Sequence, residues 1–154
     1  MLTLDHLTNL MTIANVGDSG YCLFRNGKII QRSEPQRITF ECPRQLDSYP
    51  WKEKSRKMGV SYTEILGNDT ICERVQVAKD DFVIVSSDGL FDNLTYHEIE
   101  EICQKSKSIN DAAENLVNRC VRYYRKPDDI IVLIAKLIDN KIPCIQHKYS
   151  KQPE

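Results

Sequence analysis

Three acidic positions in this sequence sit where an apolar run meets a turn. Asp18 follows the run from Leu10 to Val16, Asp88 follows Phe82 to Val85, and Asp128 with Asp129 immediately precedes Ile130 to Ile138. A strand end is a common place for catalytic or metal-binding groups, because the strand fixes the backbone while the loop leaves the side chain free to reach a ligand. Two such carboxylates about 5 Å apart would repel by roughly 3 kcal/mol at an effective dielectric near 20. A cluster of them therefore needs protons or a cation. Oxygen ligands with no nearby Cys or His pair favour magnesium or manganese over zinc. The competing reading is that an Asp in a turn serves the backbone as an Asx turn or cap. For Asp92 that reading is the stronger one, since Asp92-Asn93 looks like a loop leading to a helix cap at Thr95.

Each carboxylate needs an element to hold it. Phe82 to Val85 is short, apolar and largely β-branched, which predicts a buried strand broken by the turn residues Ser86 to Gly89. Leu10 to Val16 predicts a strand ending at Gly17-Asp18-Ser19-Gly20. Tyr21 to Arg25 and Lys28 to Ile30 flank Asn26-Gly27. That dipeptide is preferred in a two-residue type I′ hairpin because both central positions need positive φ. Ile71 to Val77 sets Ile71, Val75 and Val77 on one face, and Ala78 to Asp81 is expected to turn it directly into Phe82 to Val85 as a second hairpin.

Thr95 with Glu98 fits a capping box for a helix running to about Lys105. A second helix from near Ile109 carries a stripe of Ala112, Ala113, Leu116, Val117, Cys120, Val121 and Tyr124, expected to face the core, and Pro127 bars its continuation. Ile130 to Ile138 is almost wholly apolar, as expected of a strand covered on both faces. Gln31 to Asn68 is mostly polar with no sustained period, and from Asp139 onward the chain reads as a polar tail expected to fray.

At 154 residues the length suits one domain. Hydrophobic residues at 41% against 28% charged mark a globular chain, and a net charge of -1 gives no general attraction to nucleic acid or anionic membrane. The six cysteines form no CxxC pair, so neither a zinc site nor a redox motif is suggested, and reduced thiols are expected. No apolar run is long enough to span a bilayer, and no signal peptide or other targeting segment is visible, so an intracellular protein is expected.

The motifs, taken in order, resemble a family. Asn15-Val16-Gly17-Asp18-Ser19-Gly20, then Ser86-Ser87-Asp88-Gly89-Leu90-Phe91-Asp92-Asn93, then Lys126-Pro127-Asp128-Asp129-Ile130-Ile131-Val132 are similar to three successive motifs of the metal-dependent protein serine/threonine phosphatases of PPM type. Arg32-Ser33, Gln36 and Gln45-Leu46 resemble the branch that includes mitochondrial phosphatases.

The resemblance implies an α+β fold, part of a four-layer α-β-β-α sandwich with two antiparallel sheets. Residues 1–138 would be the carboxyl-terminal portion of that domain and 139–154 the polar tail. Asp88 and Asp128 would be ligands of a two-metal magnesium or manganese centre, with Asp18 at its edge helping to hold a further, weaker cation. Asp129 and Gly89 would stand beside the ligands rather than on the metal, and no catalytic residue is implied beyond the ligands. Water activated by the metals would hydrolyse phosphoserine or phosphothreonine in protein substrates, in a cytoplasmic or mitochondrial compartment. The family's Asp-Gly-His-Gly-Gly motif is not in this sequence, whose only histidines are His6, His97 and His147. The chain is therefore expected to be weakly active or inactive by itself. The alternatives are a non-catalytic binding module that keeps the phosphatase surface, or a β-rich scaffold whose aspartates are caps and turns.

Overall fold

Strands outweigh helices among the described residues, and two hydrophobic faces are buried by stacking one sheet on another. The computed structural model describes residues 1–5, 7–39, 42–43, 70–123, 125–138 and 141–150, with the backbone alone at 38–39, 42–43 and 141–150. Its elements are β1 (Leu2–Asp5), β2 (Leu10–Asn15), β3 (Gly20–Arg25), β4 (Lys28–Arg32), β5 (Arg37–Thr39), β6 (Cys42–Pro43), β7 (Ile71–Gln76), β8 (Phe82–Ser86), α1 (Asp88–Phe91), α2 (Tyr96–Lys105), α3 (Ile109–Arg122), β9 (Ile130–Ile138) and β10 (Lys141–Ser150). Gln45-Leu46 and most of Gln31 to Asn68 lie outside the described residues.

The strands form two larger sheets, in the orders β1-β2-β7 and β10-β9-β8-β3-β4, and every pairing in them is antiparallel. Met11, Ile13 and Val77 from the first sheet meet Tyr21, Leu23 and Val83 from the second in a buried core between them. On its other side the five-stranded sheet sends Cys22, Phe24, Ile84, Ile130, Val132 and Ile134 against the helices, where Ile99, Ala113, Leu116 and Cys120 complete a second core. The expected α+β class with two antiparallel sheets is thus observed.

Local signals predicted local structure well. Asn26 and Gly27 both take positive φ, at 52° and 74°, and close the β3–β4 hairpin. The Thr95 hydroxyl accepts the Glu98 N–H while the Glu98 carboxylate accepts the Thr95 N–H, so α2 begins in a capping box. The α3 stripe buries Ala112, Ala113, Leu116, Val117 and Cys120, whereas Val121 is exposed. Tyr124 lies outside the described residues.

Three expectations need correction. β7 does not form a hairpin with β8: it pairs with β2 in the other sheet, and the connection carries the chain across the sandwich. Buried Asp81 holds that crossing, accepting the Ala78 N–H at 2.8 Å and the Arg25 guanidinium at 2.7 and 3.0 Å. β9 is fully covered only on its helix side, where Ile130, Val132 and Ile134 are buried; on the other face Ala135 and Leu137 pack against the core between the sheets, while Ile131 is exposed because three strands do not span five. Finally, Lys141–Ser150 is β10, paired along β9, since the β9 edge offers backbone hydrogen bonds regardless of side-chain polarity. Where the smaller sheet stops, an apolar cleft of about 360 Å³ opens between the sheets, lined by Leu2, Ile13, Tyr21, Val85 and Leu133.

Candidate functional site

β8 ends at Ser86 and passes at once into α1, which places Asp88 on the first residue of a short helix. The two serines before it stitch this corner to the start of β9. Ser86 Oγ donates to the Ile131 carbonyl at 2.6 Å, while Ser87 Oγ donates to the Asp129 carbonyl at 2.9 Å and accepts the Ile131 N–H at 3.1 Å. Gly89 lets the two segments touch, because a Cβ there would stand 2.6 Å from the Asp129 carbonyl oxygen. Asp88 and Asp128 are therefore held as neighbours by backbone contacts, not by any attraction between themselves.

Buried Asn93 supplies the second fastening. Its amide donates to the Gly89 and Lys126 carbonyls, both at 2.8 Å, and its oxygen accepts the Arg125 and Lys126 N–H groups at 2.7 and 3.0 Å. Three of these contacts join the end of α1 to the loop before β9, and the fourth, to Gly89, anchors the side chain on α1 itself. Asp128 Oδ1 accepts the Asp129 N–H at 2.8 Å, while Asp129 is exposed beside it.

Asp18 comes from the turn after β2, where Gly17 has φ 105° and exchanges hydrogen bonds with Gln36: the Gly17 N–H donates to Gln36 Oε1 at 3.1 Å and the Gln36 N–H to the Gly17 carbonyl at 2.9 Å. Gly20 leaves the room that Ser33 needs to accept the Tyr21 N–H, at 2.9 Å. Arg32 stacks over the Tyr96 ring at 3.9 Å from its centroid. Of the residues noted for their resemblance, Gln36 thus holds the turn that carries Asp18, Ser33 fastens the start of β3 just after it, and Arg32 packs on α2.

Burial first, and then the charges of Asp18, Asp128 and Asp92, push the Asp88 carboxyl above the ordinary carboxylate range, with Lys126 offsetting part of the rise. The structure thus brings together Asp18, Asp88 and Asp128, and adds Asp92. Sequence reasoning gave Asp92 to a loop. It is the cap residue at the end of α1 and receives two cations, Arg37 at 2.6 Å and Lys126 at 2.7 Å. Desolvation works to raise its pKa, but the hydrogen bonds from Lys126 and Arg37 outweigh this and leave it below the usual range. Arg37 also stands 3.5 Å from Asp18. It lies in the polar stretch without period, so no pattern singled it out.

Four carboxylates thus share two cations, with Arg37 on Asp18 and Asp92 and Lys126 on Asp92. Asp88 and Asp128 take part in no ion pair among the described residues. Carboxylate oxygens with uncompensated charge suit a hard divalent cation. Among the described residues, however, no three His, Cys, Asp or Glu side chains converge closely enough to hold a metal ion. The donor chemistry fits such an ion; the coordination shell is short of ligands.

Residues 65–128 match the family described as Protein phosphatase 2C. A relative from Drosophila persimilis, "Protein phosphatase PTC7 homolog fig", is 31% identical over 80% of this chain and 46% of its own length. "Probable protein phosphatase 2C 26" of Arabidopsis thaliana is 36% identical over 70% of this chain and 32% of its own. This chain spans under half the length of both relatives. Among solved structures, the photosystem II phosphatase PBCP superposes with a TM-score of 0.65 at 26% identity, over 79% of this chain and 43% of that one. The catalytic domain of the serine threonine protein phosphatase PstP, solved with 2 manganese ions, shares the fold with a TM-score of 0.61 at 19% identity, over 90% and 57%.

Proposed function

The chain belongs to the protein phosphatase 2C family, and on that premise we propose that it forms part of a metal-dependent phosphatase acting on phosphoserine and phosphothreonine in proteins. The observation that carries this reading is that Asp88 and Asp128, carboxylates from different elements, take part in no ion pair among the described residues, with Lys126 offsetting only part of the negative charge around Asp88, whereas Asp18 and Asp92 are paired. Asp88 and Asp128 would hold magnesium or manganese, with Asp18 at the edge and Asp129 and Gly89 supporting the pair. Divalent ions in such a site supply an activated water and offset charge on phosphoryl oxygens. The family relative solved with manganese supports the choice of ion. A cytoplasmic or mitochondrial location goes with the same reading. No helix among the described residues is long and apolar enough to cross a membrane.

The 154 residues by themselves are expected to be weakly active or inactive, because the described carboxylates do not complete a ligand set. That same shortage favours a second reading, a non-catalytic module that keeps the phosphatase surface. One assay separates them: manganese-dependent release of phosphate from a phosphothreonine peptide, measured for the chain alone and for the chain joined to a relative's segment bearing Asp-Gly-His-Gly-Gly. Hydrolysis only by the joined protein, lost in Asp88→Asn, is the expected result. Hydrolysis by the chain alone, abolished by Asp88→Ala, would overturn the expected inactivity. Absence of hydrolysis by a folded joined protein would sink the phosphatase reading and leave the binding module.

A further inference from the structure

One side chain at the site does what a bound ion usually does. Arg37 reaches two carboxylates from separate segments, with Nε 3.5 Å from Asp18 Oδ2 and a terminal nitrogen 2.6 Å from Asp92 Oδ1. Its side chain is 21% exposed and both carboxylates are 14% exposed, so the three groups meet largely out of water. An arginine suits this place because it is always charged and presents donors in a rigid fork. The delivery is also built in: the paired hydrogen bonds between Gln36 and Gly17 fasten the residue before Arg37 to the residue before Asp18.

We propose that the Arg37 guanidinium is a resident counter-cation of this site, occupying the place between Asp18 and Asp92 where a divalent ion would otherwise bridge them. The edge position for a further, weaker cation, expected at Asp18, is then taken by the protein's own side chain. Metal binding is confined to Asp88 and Asp128. Removing the guanidinium converts an ion pair into a cation site, because two desolvated carboxylates are left beside Asp88 with, among the described residues, Lys126 alone paired to them. The inference rests on the proposed reading of Asp88 and Asp128 only for the site to which the ion is confined, not for the role of Arg37 itself.

The test is manganese binding by the 154-residue chain, followed by calorimetry and by the paramagnetic resonance of free Mn2+. Arg37→Gln should bind one ion more than the unaltered chain, while Arg37→Lys and the double variant Arg37→Gln with Asp18→Asn should not. In chelator, Arg37→Gln should melt at a lower temperature, and Mn2+ should restore it further than it raises the unaltered chain. Equal manganese binding by Arg37→Gln and the unaltered chain would overturn the proposal. So would an Arg37→Gln chain that stays unfolded with Mn2+ present, since the ion should then stand in for the guanidinium. The Asp88→Asn variant reports separately: if it leaves the manganese binding of the unaltered chain undiminished, the reading of Asp88 as a ligand fails, while the comparison across Arg37 variants still stands.

Discussion

Asn93 and Lys126 are tied in both directions: the Asn93 amide donates to the Lys126 carbonyl at 2.8 Å, and its oxygen accepts the Lys126 N–H at 3.0 Å. A single buried side chain thus joins the helix that begins at Asp88 to the loop that ends at Asp128. The serine contacts fix the near end of the same junction, and Asn93 fixes the far end.

Asn93→Ala is expected to lower stability by about 2 kcal/mol, since it removes four hydrogen bonds and leaves the buried Gly89 carbonyl without that donor. Denaturant unfolding measures this. Native-state hydrogen exchange should show faster exchange at Arg125 and Lys126 than elsewhere in the fold. A uniform change across the chain would show that Asn93 has no local fastening role.

Gly89→Ala places a Cβ 2.6 Å from a backbone oxygen that cannot swing aside. It should cost about 1–3 kcal/mol, the range for overpacking, although the position lies in a helix where Ala is otherwise the better residue. The displacement falls on Asp129 and its neighbour Asp128, so manganese affinity should fall as well. Unchanged stability and affinity would mean that the close approach positions nothing.

Asp88→Asn should stabilise the metal-free chain at pH 7. The Asp88 carboxyl is held above its ordinary range by burial and by Asp18, Asp128 and Asp92, so the folded chain binds that proton more tightly than the unfolded one. Its favourable contribution is fully present below the unfolded pKa of about 3.9 and is lost as pH rises through the raised folded value. Above that value the charge counts against the fold. Because the group is partly exposed, the gain in Asp88→Asn is expected to stay under about 1 kcal/mol. Thermal unfolding in chelator, compared at pH 7 and pH 4, checks it: the variant should be the more stable at pH 7, and the difference should shrink at pH 4. A variant less stable than the unaltered chain at pH 7 would contradict this.

What could be read from the sequence was whatever neighbouring residues decide among themselves. Asn26-Gly27 selects its turn through backbone sterics alone, Thr95 and Glu98 cap a helix through contacts three residues apart, and the run Phe82 to Val85 announces a strand that must end before Gly89. The acidic residues at strand exits were visible for the same reason. Tertiary structure alone decided which strands pair. Ala78 to Asp81 has the composition of a hairpin turn, yet the carboxylate of Asp81 meets Arg25 from β3 and the chain crosses to the other sheet. The polar residues after Asp139 have little to bury, and β9 nevertheless recruits Lys141–Ser150 through backbone hydrogen bonds that no side-chain pattern records. Arg37 and Asp92 follow the same rule: their spacing means nothing along the chain, and they become partners only when the start of β5, the end of α1 and the turn at Gly17 are folded against one another, because charge acts through space and not through sequence.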